Sequence, residues 1–252
     1  MELRLGGKNA LITGSSHGIG YAIAQRLLQA GCHVAVNGRD AGRLAQAVAT
    51  LGPVVSIVGD ASQPEEARRM VAMACDRLNH PLDILVCNVG SGASVPPGQE
   101  SFAEWQRVFA LNLWSSTNMV EAARDVLTRT RGTIVCISSI CGVEVIPGAP
   151  VTYSAAKAAL NAYVKGIARP LGKQGIRINA IAPGNILFPG SVWARKLAEN
   201  RSQVEAMLER EVALATLGLP QQIADWVAWL ASDASAFATG SIFTVDGGQV
   251  RS

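Results

Sequence analysis

The sequence predicts an α/β protein: one doubly wound, seven-stranded parallel sheet with helices on both faces. Three observations predict it. Seven short β-branched or apolar runs recur along the 252 residues, and longer alanine- and leucine-rich stretches with helical apolar spacing separate them. Hydrophobic residues make up 49% of the chain against 16% charged, the balance of a sheet buried on both faces or of surface shared between subunits. The predicted strands are 10–13, 33–37, 54–58, 84–87, 133–138, 177–181 and 242–245. The stretches 19–30, 41–51, 65–78, 102–127 and 154–172 read as helices, so the order is βαβα throughout, and right-handed crossovers then make the sheet parallel. No repeat, low-complexity tract or linker divides the chain, and residues 1–252 are read as one domain.

Composition narrows the partners. The net charge is only +3 and the basic residues are spread out, which excludes a nucleic-acid tail. Cys32, Cys75, Cys87, Cys136 and Cys141 form no CxxC pair and no metal-ligand cluster with histidine, so reduced, mostly buried thiols and no metal are expected. The N-terminus reaches a strand almost at once without a signal-peptide pattern, and no apolar run is long enough to span a bilayer. Cytoplasmic location and no membrane partner are the expectations.

Between the first strand and the first helix stand Thr13, Gly14, Ser15, Ser16, His17, Gly18, Ile19 and Gly20. Glycines spaced in this way allow a tight turn, let the backbone approach a pyrophosphate and let helix pack close on strand, while the helix N-terminus attracts phosphate. The tip of the second strand tells which dinucleotide fits, because a carboxylate there bonds a ribose 2′-hydroxyl and repels a 2′-phosphate. Asn37, Gly38 and Arg39 occupy it, and Arg39 can pair with a phosphate, so NADP(H) is favoured over NAD(H) although Asp40 is adjacent. His17 is a candidate additional donor.

Tyr153 and Lys157 stand at i, i+4 at the start of a predicted helix, on one face. A phenol near pKa 10 needs a neighbouring positive charge to serve as a base at neutral pH, and Lys157 is placed to supply one. On spacing alone the two are equally a surface pair.

Taken together, the TGSSHGIG turn, YSAAK at 153–157, Ser139 upstream, Asn112 on the long fifth-strand-preceding helix and TGSIFTVDGG at the C-terminus resemble the short-chain dehydrogenase/reductase family, in its single-domain branch, over nearly the whole chain. The resemblance implies a Rossmann fold and an oxidoreductase that moves hydride between NADP(H) and a carbonyl or secondary alcohol. It implies that Tyr153 exchanges the proton, that Lys157 lowers the phenol pKa and bonds the nicotinamide ribose, and that Ser139 orients the substrate oxygen. Ser138, next to it on a strand, would face the other way. Asn112 matches the asparagine that holds a relay water. On the cofactor side, Asp60 and Ala61 match an adenine contact, Asn88 and Gly90 a backbone wall with Cys87 and Val89 as departures, and Pro183, Gly184 and Ile186 the nicotinamide loop. Phe188 stands where many members carry threonine; it and Trp193 are candidates for pocket lining or for packing.

The loops 90–99 and 183–190 lie beyond strand carboxyl ends, where ligands bind in such sheets, and 185–217 is the expected substrate lid. Similarity to 3-oxoacyl-carrier-protein reductases favours reduction of a ketone or 3-oxoacyl thioester. Arg129, Arg131, Arg169 and Lys173 are candidates to dock an acidic carrier protein, or ordinary solvated charges. Oxidation of a sugar, polyol, steroid or aromatic-pathway alcohol is the alternative, and a non-catalytic nucleotide-binding protein is a third reading. The helices 102–127 and 154–172 and the last strand are positions where the family forms dimers and tetramers, so a homotetramer is expected.

Overall fold

A computed structural model describes residues 3–251. Its sheet has seven strands, β1 Asn9–Ile12, β2 His33–Gly38, β3 Val55–Val58, β4 Ile84–Cys87, β5 Thr133–Ile137, β6 Arg177–Pro183 and β7 Ile242–Val245. They lie in the order β3-β2-β1-β4-β5-β6-β7, and every pairing is parallel. From β1 the chain winds outward to β3, returns to lay β4 beside β1, and winds the other way to β7. The two halves therefore diverge between β1 and β4, where an open α/β sheet leaves a crevice at its carboxyl edge.

Alternation along each strand builds two cores. Leu11, Leu85, Cys87, Ile134 and Cys136 face one side, covered by α3 (Pro64–Arg77), α5 (Ser115–Thr130) and α6 (Val151–Lys173). Ala10, Ile12, Ile84, Val86, Val135 and Ile137 face the other, covered by α1 (Gly18–Gln29), α2 (Ala41–Leu51) and α9 (Pro220–Ala231). Each large side chain fully buried this way contributes about 1.5–3 kcal/mol, which holds the strand ends still enough to carry a site. Trp226 and Trp229 of α9 pack edge-on with centroids 5.7 Å apart, and both lie against Phe243 of β7.

Three features depart from the sequence expectations. The long helix predicted at 102–127 is interrupted: α4 (Phe102–Phe109) and α5 are joined through a single π turn at Ala110–Trp114, centred on Asn112. The amide of Asn112 donates to the Val108 carbonyl at 3.0 Å, a side-chain bond inserted into the helix ladder, and π turns of this kind concentrate at functional sites. The helix predicted from 154 begins at Val151, which places Tyr153 in its first turn. Finally, β6 runs on to Pro183.

Beyond β6 the chain leaves the sheet in an excursion whose ends are pinched together: Leu187 N–H donates to the Gly218 carbonyl at 2.8 Å and Gly218 N–H to that of Asn185 at 2.9 Å. Inside it, α7 (Val192–Glu199) and α8 (Arg201–Glu211) enclose their own small core of Val204, Leu208 and Val212 against Trp193 and Leu197. Trp193 thus packs within the excursion.

Candidate active site

The glycine turn is built by contacts from three strands. Thr13 N–H donates to the Val86 carbonyl at 3.0 Å, and Asn88 answers by donating its amide to the carbonyls of Thr13 and Gly14 at 3.1 and 2.9 Å. From β2, the Asn37 amide oxygen accepts from Gly14 N–H at 3.3 Å, while its nitrogen donates to the carbonyls of Ile57 and Gly59. Two buried or half-buried asparagines at strand ends therefore brace the turn from either side. Gly14 and Gly18 lie at positive φ, +62° and +57°. Gly20 has a different reason: a Cβ there would stand 2.3 Å from the Gly14 carbonyl oxygen and 2.4 Å from the Asn88 amide nitrogen. Helix α1 begins at His17 without a side-chain cap and without an acid in its first turn, so its leading N–H groups are free to meet an anion. The Phe188 ring lies on Gly18 and 6.2 Å from the His17 ring, so it packs against this turn. Ser16 exchanges a hydrogen bond of 3.2 Å with His17 Nδ1.

At the tip of β2, Arg39 is 64% exposed in its side chain and reaches Asp60 at 3.5 Å. The neighbouring acid is engaged elsewhere: Asp40 caps α2 by accepting from Arg43 N–H at 2.9 Å, a bond that lowers its pKa. Asp60 accepts from Ser62 through both backbone and hydroxyl, and Asn118 of α5 holds the Ala61 and Ser62 carbonyls at 3.3 and 2.9 Å. The resulting crevice wall offers a guanidinium and no unengaged carboxylate at the second-strand tip.

Gly90 and Asn112 join this half to the other. The Asn112 amide clamps Ser91, accepting from its N–H at 2.9 Å and donating to its carbonyl at 3.2 Å. Both ends of that side chain are thus committed to backbone, as in a helix-interior asparagine. Gly90 lies so close that a Cβ would stand 2.9 Å from Asn112 Oδ1 and 3.0 Å from Lys157 Nζ.

Ser139, Tyr153 and Lys157 meet at the end of β5. Ser138 turns into the protein and donates to Asn161 Oδ1 at 2.6 Å, and Asn161 in turn donates to the Gly142 carbonyl. Ser139 faces the crevice. Its oxygen accepts from Cys141 N–H at 3.2 Å, which leaves its proton for another acceptor. Contrary to the expectation that Lys157 lowers the phenol pKa, burial pushes Tyr153 up to about 12, and the part of that rise that is offset is offset by the Ser139 hydroxyl. Lys157 is buried, donates to the Ile137 carbonyl at 2.8 Å, and lies 6.0 Å from the Tyr153 ring centre. Burial lowers its pKa to about 8, opposed by the thiols of Cys136, Cys141 and Cys87. The ammonium is therefore directed at a main-chain carbonyl, and the phenol stands in its protonated form.

The structure thus brings Gly14, Gly20 and Asn88 together at the turn, and Gly90, Asn112 and Lys157 together at the end of the neighbouring strands. At the end of β6, Gly184 N–H donates to the Val245 carbonyl at 3.0 Å, and Ile186 is buried. Sequence reasoning missed Asn37, Asn118 and Asn161 as braces. The one available signal was the placement of asparagines at strand ends and helix faces that are otherwise apolar. Among the described residues, no helix is long and apolar enough to cross a membrane, and all five cysteines are free.

A parallel sheet with a glycine turn at its switch point and a Tyr–Lys–Ser cluster across the crevice defines the class, oxidoreductases of the Rossmann type. Comparison then makes the assignment closer. A family model described as enoyl-(acyl carrier protein) reductase matches residues 14–249. A 3-oxoacyl-(acyl-carrier-protein) reductase of Rickettsia conorii is 35% identical over 254 residues, covering 98% of each chain. A glucose 1-dehydrogenase of Gluconobacter oxydans is 33% identical, covering 97% of this chain and 92% of its own. The crystal structure of L-sorbose reductase from Gluconobacter frateurii, complexed with NADPH and L-sorbose, superposes with a TM-score of 0.93 at 28% identity over the full length of both chains. The chain belongs to the short-chain dehydrogenase/reductase family and is an oxidoreductase acting on carbonyl or alcohol groups.

Proposed function

We propose that the protein reduces a ketone or 3-oxoacyl thioester with NADPH, with Tyr153 as the proton donor. The observation that carries this reading is the pairing of an uncapped helix N-terminus and glycine turn with a protonated phenol beside the Ser139 hydroxyl. The residues fit NADP(H). Gly14, Ser16, His17, Gly18, Ile19 and Gly20 would receive the pyrophosphate, and Arg39 a 2′-phosphate, since Asp40 is engaged in capping and Asp60, 3.5 Å from Arg39, is held by Ser62. Asp60 and Ala61 would border the adenine, Asn88 and Gly90 the ribose, and Pro183, Gly184 and Ile186 the nicotinamide. Similarity to a reductase solved with NADPH supports the same choice.

When bound, the cofactor supplies the hydride. The chain does the rest. Ser139 donates its proton to the substrate oxygen, holding the carbonyl in line and stabilising charge that gathers there. Tyr153 transfers its proton to that oxygen, and a phenol kept neutral by burial is the correct form for reduction. Lys157 holds positive charge beneath the phenol and is anchored by Ile137. Gly90, by having no side chain, admits Asn112 and Lys157 to the same wall. Because both ends of the Asn112 amide are occupied, its contribution to a proton relay runs through its backbone at the π turn. The excursion over 185–217 serves as the lid.

Similarity to a glucose 1-dehydrogenase and to an L-sorbose reductase favours a second reading, interconversion of a sugar or polyol by the same residues. The assembly is proposed to be a homotetramer in the cytoplasm, with an acyl carrier protein presenting the substrate under the first reading only. The deciding experiment screens ketones, 3-oxoacyl thioesters, enoyl thioesters and sugars with NADPH, and the alcohols with NADP. Activity on 3-oxo compounds that Tyr153→Phe removes, with NADPH binding retained, is the expected result. Near-normal turnover by Tyr153→Phe, or activity confined to sugars, would overturn the first reading. Tight NADPH binding without turnover on any substrate would establish the non-catalytic one.

A further inference from the structure

We propose that Glu104 is a positioning residue for Tyr153, holding the wall at 90–95 and, through Ser94 and Thr152, the first turn of the helix that carries the phenol. The proposal rests on the reading of Tyr153 as the proton donor.

Glu104 stands in the first turn of α4, whose N-cap Ser101 accepts from its backbone N–H at 3.2 Å. An acid there is ordinarily a solvated charge paired with an i+3 arginine, and such exposed pairs contribute little. This one differs in burial and in partners. Its side chain is 14% exposed. Oε1 accepts from Ser94 Oγ at 2.6 Å and from Arg107 Nη2 at 2.7 Å, and Oε2 accepts from Arg107 Nε at 2.8 Å. Arg107 Nη2 also donates to the Ala93 carbonyl at 3.0 Å, so the pair grips two successive residues of the loop after β4.

Counting protons gives the chain a direction. Bonds from Arg107 and Ser94 lower the Glu104 pKa to about 2, so at neutral pH the carboxylate only accepts. Ser94 must then give its single proton to Glu104, and at 2.7 Å from Thr152 Oγ1 it can only accept from Thr152. Thr152 is fully buried and immediately precedes Tyr153. At the other end of the same wall, Ser91 is clamped by Asn112. Midway, a Cβ on Gly92 would lie 3.8 Å from the Tyr153 ring, so the phenol rests against the loop that Glu104 holds.

The test uses Ser94→Ala, which cuts the chain and leaves the Glu104–Arg107 pair, and Thr152→Val, which removes the donor at nearly constant volume. Thr152→Ser, which keeps the donor, serves as the rescue. Each of the first two is expected to lower kcat about tenfold, the effect of breaking the link between Glu104 and Thr152, which runs through one bond to a carboxylate and one neutral bond. Their combination should lose no more than either alone, Thr152→Ser should approach the parent, and NADPH affinity should stay within about twofold. In the protein without cofactor, ultraviolet titration of Tyr153, read as the difference from Tyr153→Phe, should shift in Ser94→Ala and Thr152→Val. Losses that multiply in the double variant, NADPH affinity that falls in step with kcat, or an unshifted Tyr153 titration would each overturn the proposal. Near-normal turnover by Tyr153→Phe is a separate outcome: it would bring down the proton-donor reading, and the positioning role with it.

Discussion

Gly20→Ala sets two effects of known size against each other. Gly20 lies in the first turn of α1, and replacing glycine by alanine inside a helix is worth roughly 1 kcal/mol of stability. Against this stands the new Cβ, 2.3 Å from the Gly14 carbonyl oxygen, 3.0 Å from the Gly14 carbonyl carbon and 2.4 Å from Asn88 Nδ2. The asparagine can swing away, at the cost of its bonds to Thr13 and Gly14, about 1 kcal/mol each. The Gly14 carbonyl cannot, because the turn is fixed by Asn37 and by the pairing of β1. Overpacking against backbone costs about 1–3 kcal/mol. The clash therefore wins, with a net loss of about 2–4 kcal/mol, which for a chain of this size lowers Tm by about 4–16 °C. Opening the turn also spoils the phosphate-facing surface, so NADPH affinity should fall by about tenfold or more. Thermal unfolding and a fluorescence titration with NADPH measure both. A Tm equal to or above the parent's, with unchanged NADPH affinity, would show that helix propensity dominates and that Gly20 is not required by close packing.

Arg39→Ala should weaken NADPH by about 10- to 100-fold, the loss of a charge-assisted bond of roughly 1.5–3 kcal/mol, and leave NADH nearly unchanged; equal losses for both would refute the 2′-phosphate assignment. The pH profile follows from Lys157. Its charge is lost as pH rises through about 8 while the Tyr153 phenol stays protonated to about 12, so carbonyl reduction should decline above about pH 8. Lys157→Arg should flatten that limb. The stability effect has the opposite sign: the folded pKa lies below the ordinary 10.5, so between about 8 and 10.5 the unfolded chain binds more protons and this group's contribution to stability rises with pH. A decline that tracks unfolding would refute the assignment. Light scattering should give four times the monomer mass, and a monomer would refute the homotetramer.

Periodicity carried much of the architecture. Seven apolar runs and the stretches between them encode strand and helix through contacts that are local in the chain, so β4 and α2 fall at the residues predicted, and most other boundaries within one or two. The same holds for the glycine turn, whose residues are contiguous, and for Tyr153 and Lys157, which one helical turn brings to a single face. The π turn at Asn112 was not legible, because nothing in the apolar spacing marks the side-chain bond from Asn112 to the Val108 carbonyl that accompanies it.

By itself, then, the sequence determined the βαβ order, the glycine turn, the placing of Tyr153 and Lys157 one turn apart on a helix and the lack of a carboxylate at Asn37–Arg39. Only the tertiary structure decided how these are used. It turned Ser138 inward to Asn161 and set Ser139 beside Tyr153, held Asp40 at a helix cap, aimed Lys157 at Ile137, and ran Glu104 through Ser94 to Thr152. The physical reason is the range of the interactions. Helix and strand preferences are set within a few residues, whereas a hydrogen bond joining positions 94 and 152 exists only after packing has fixed the register of the elements that carry them.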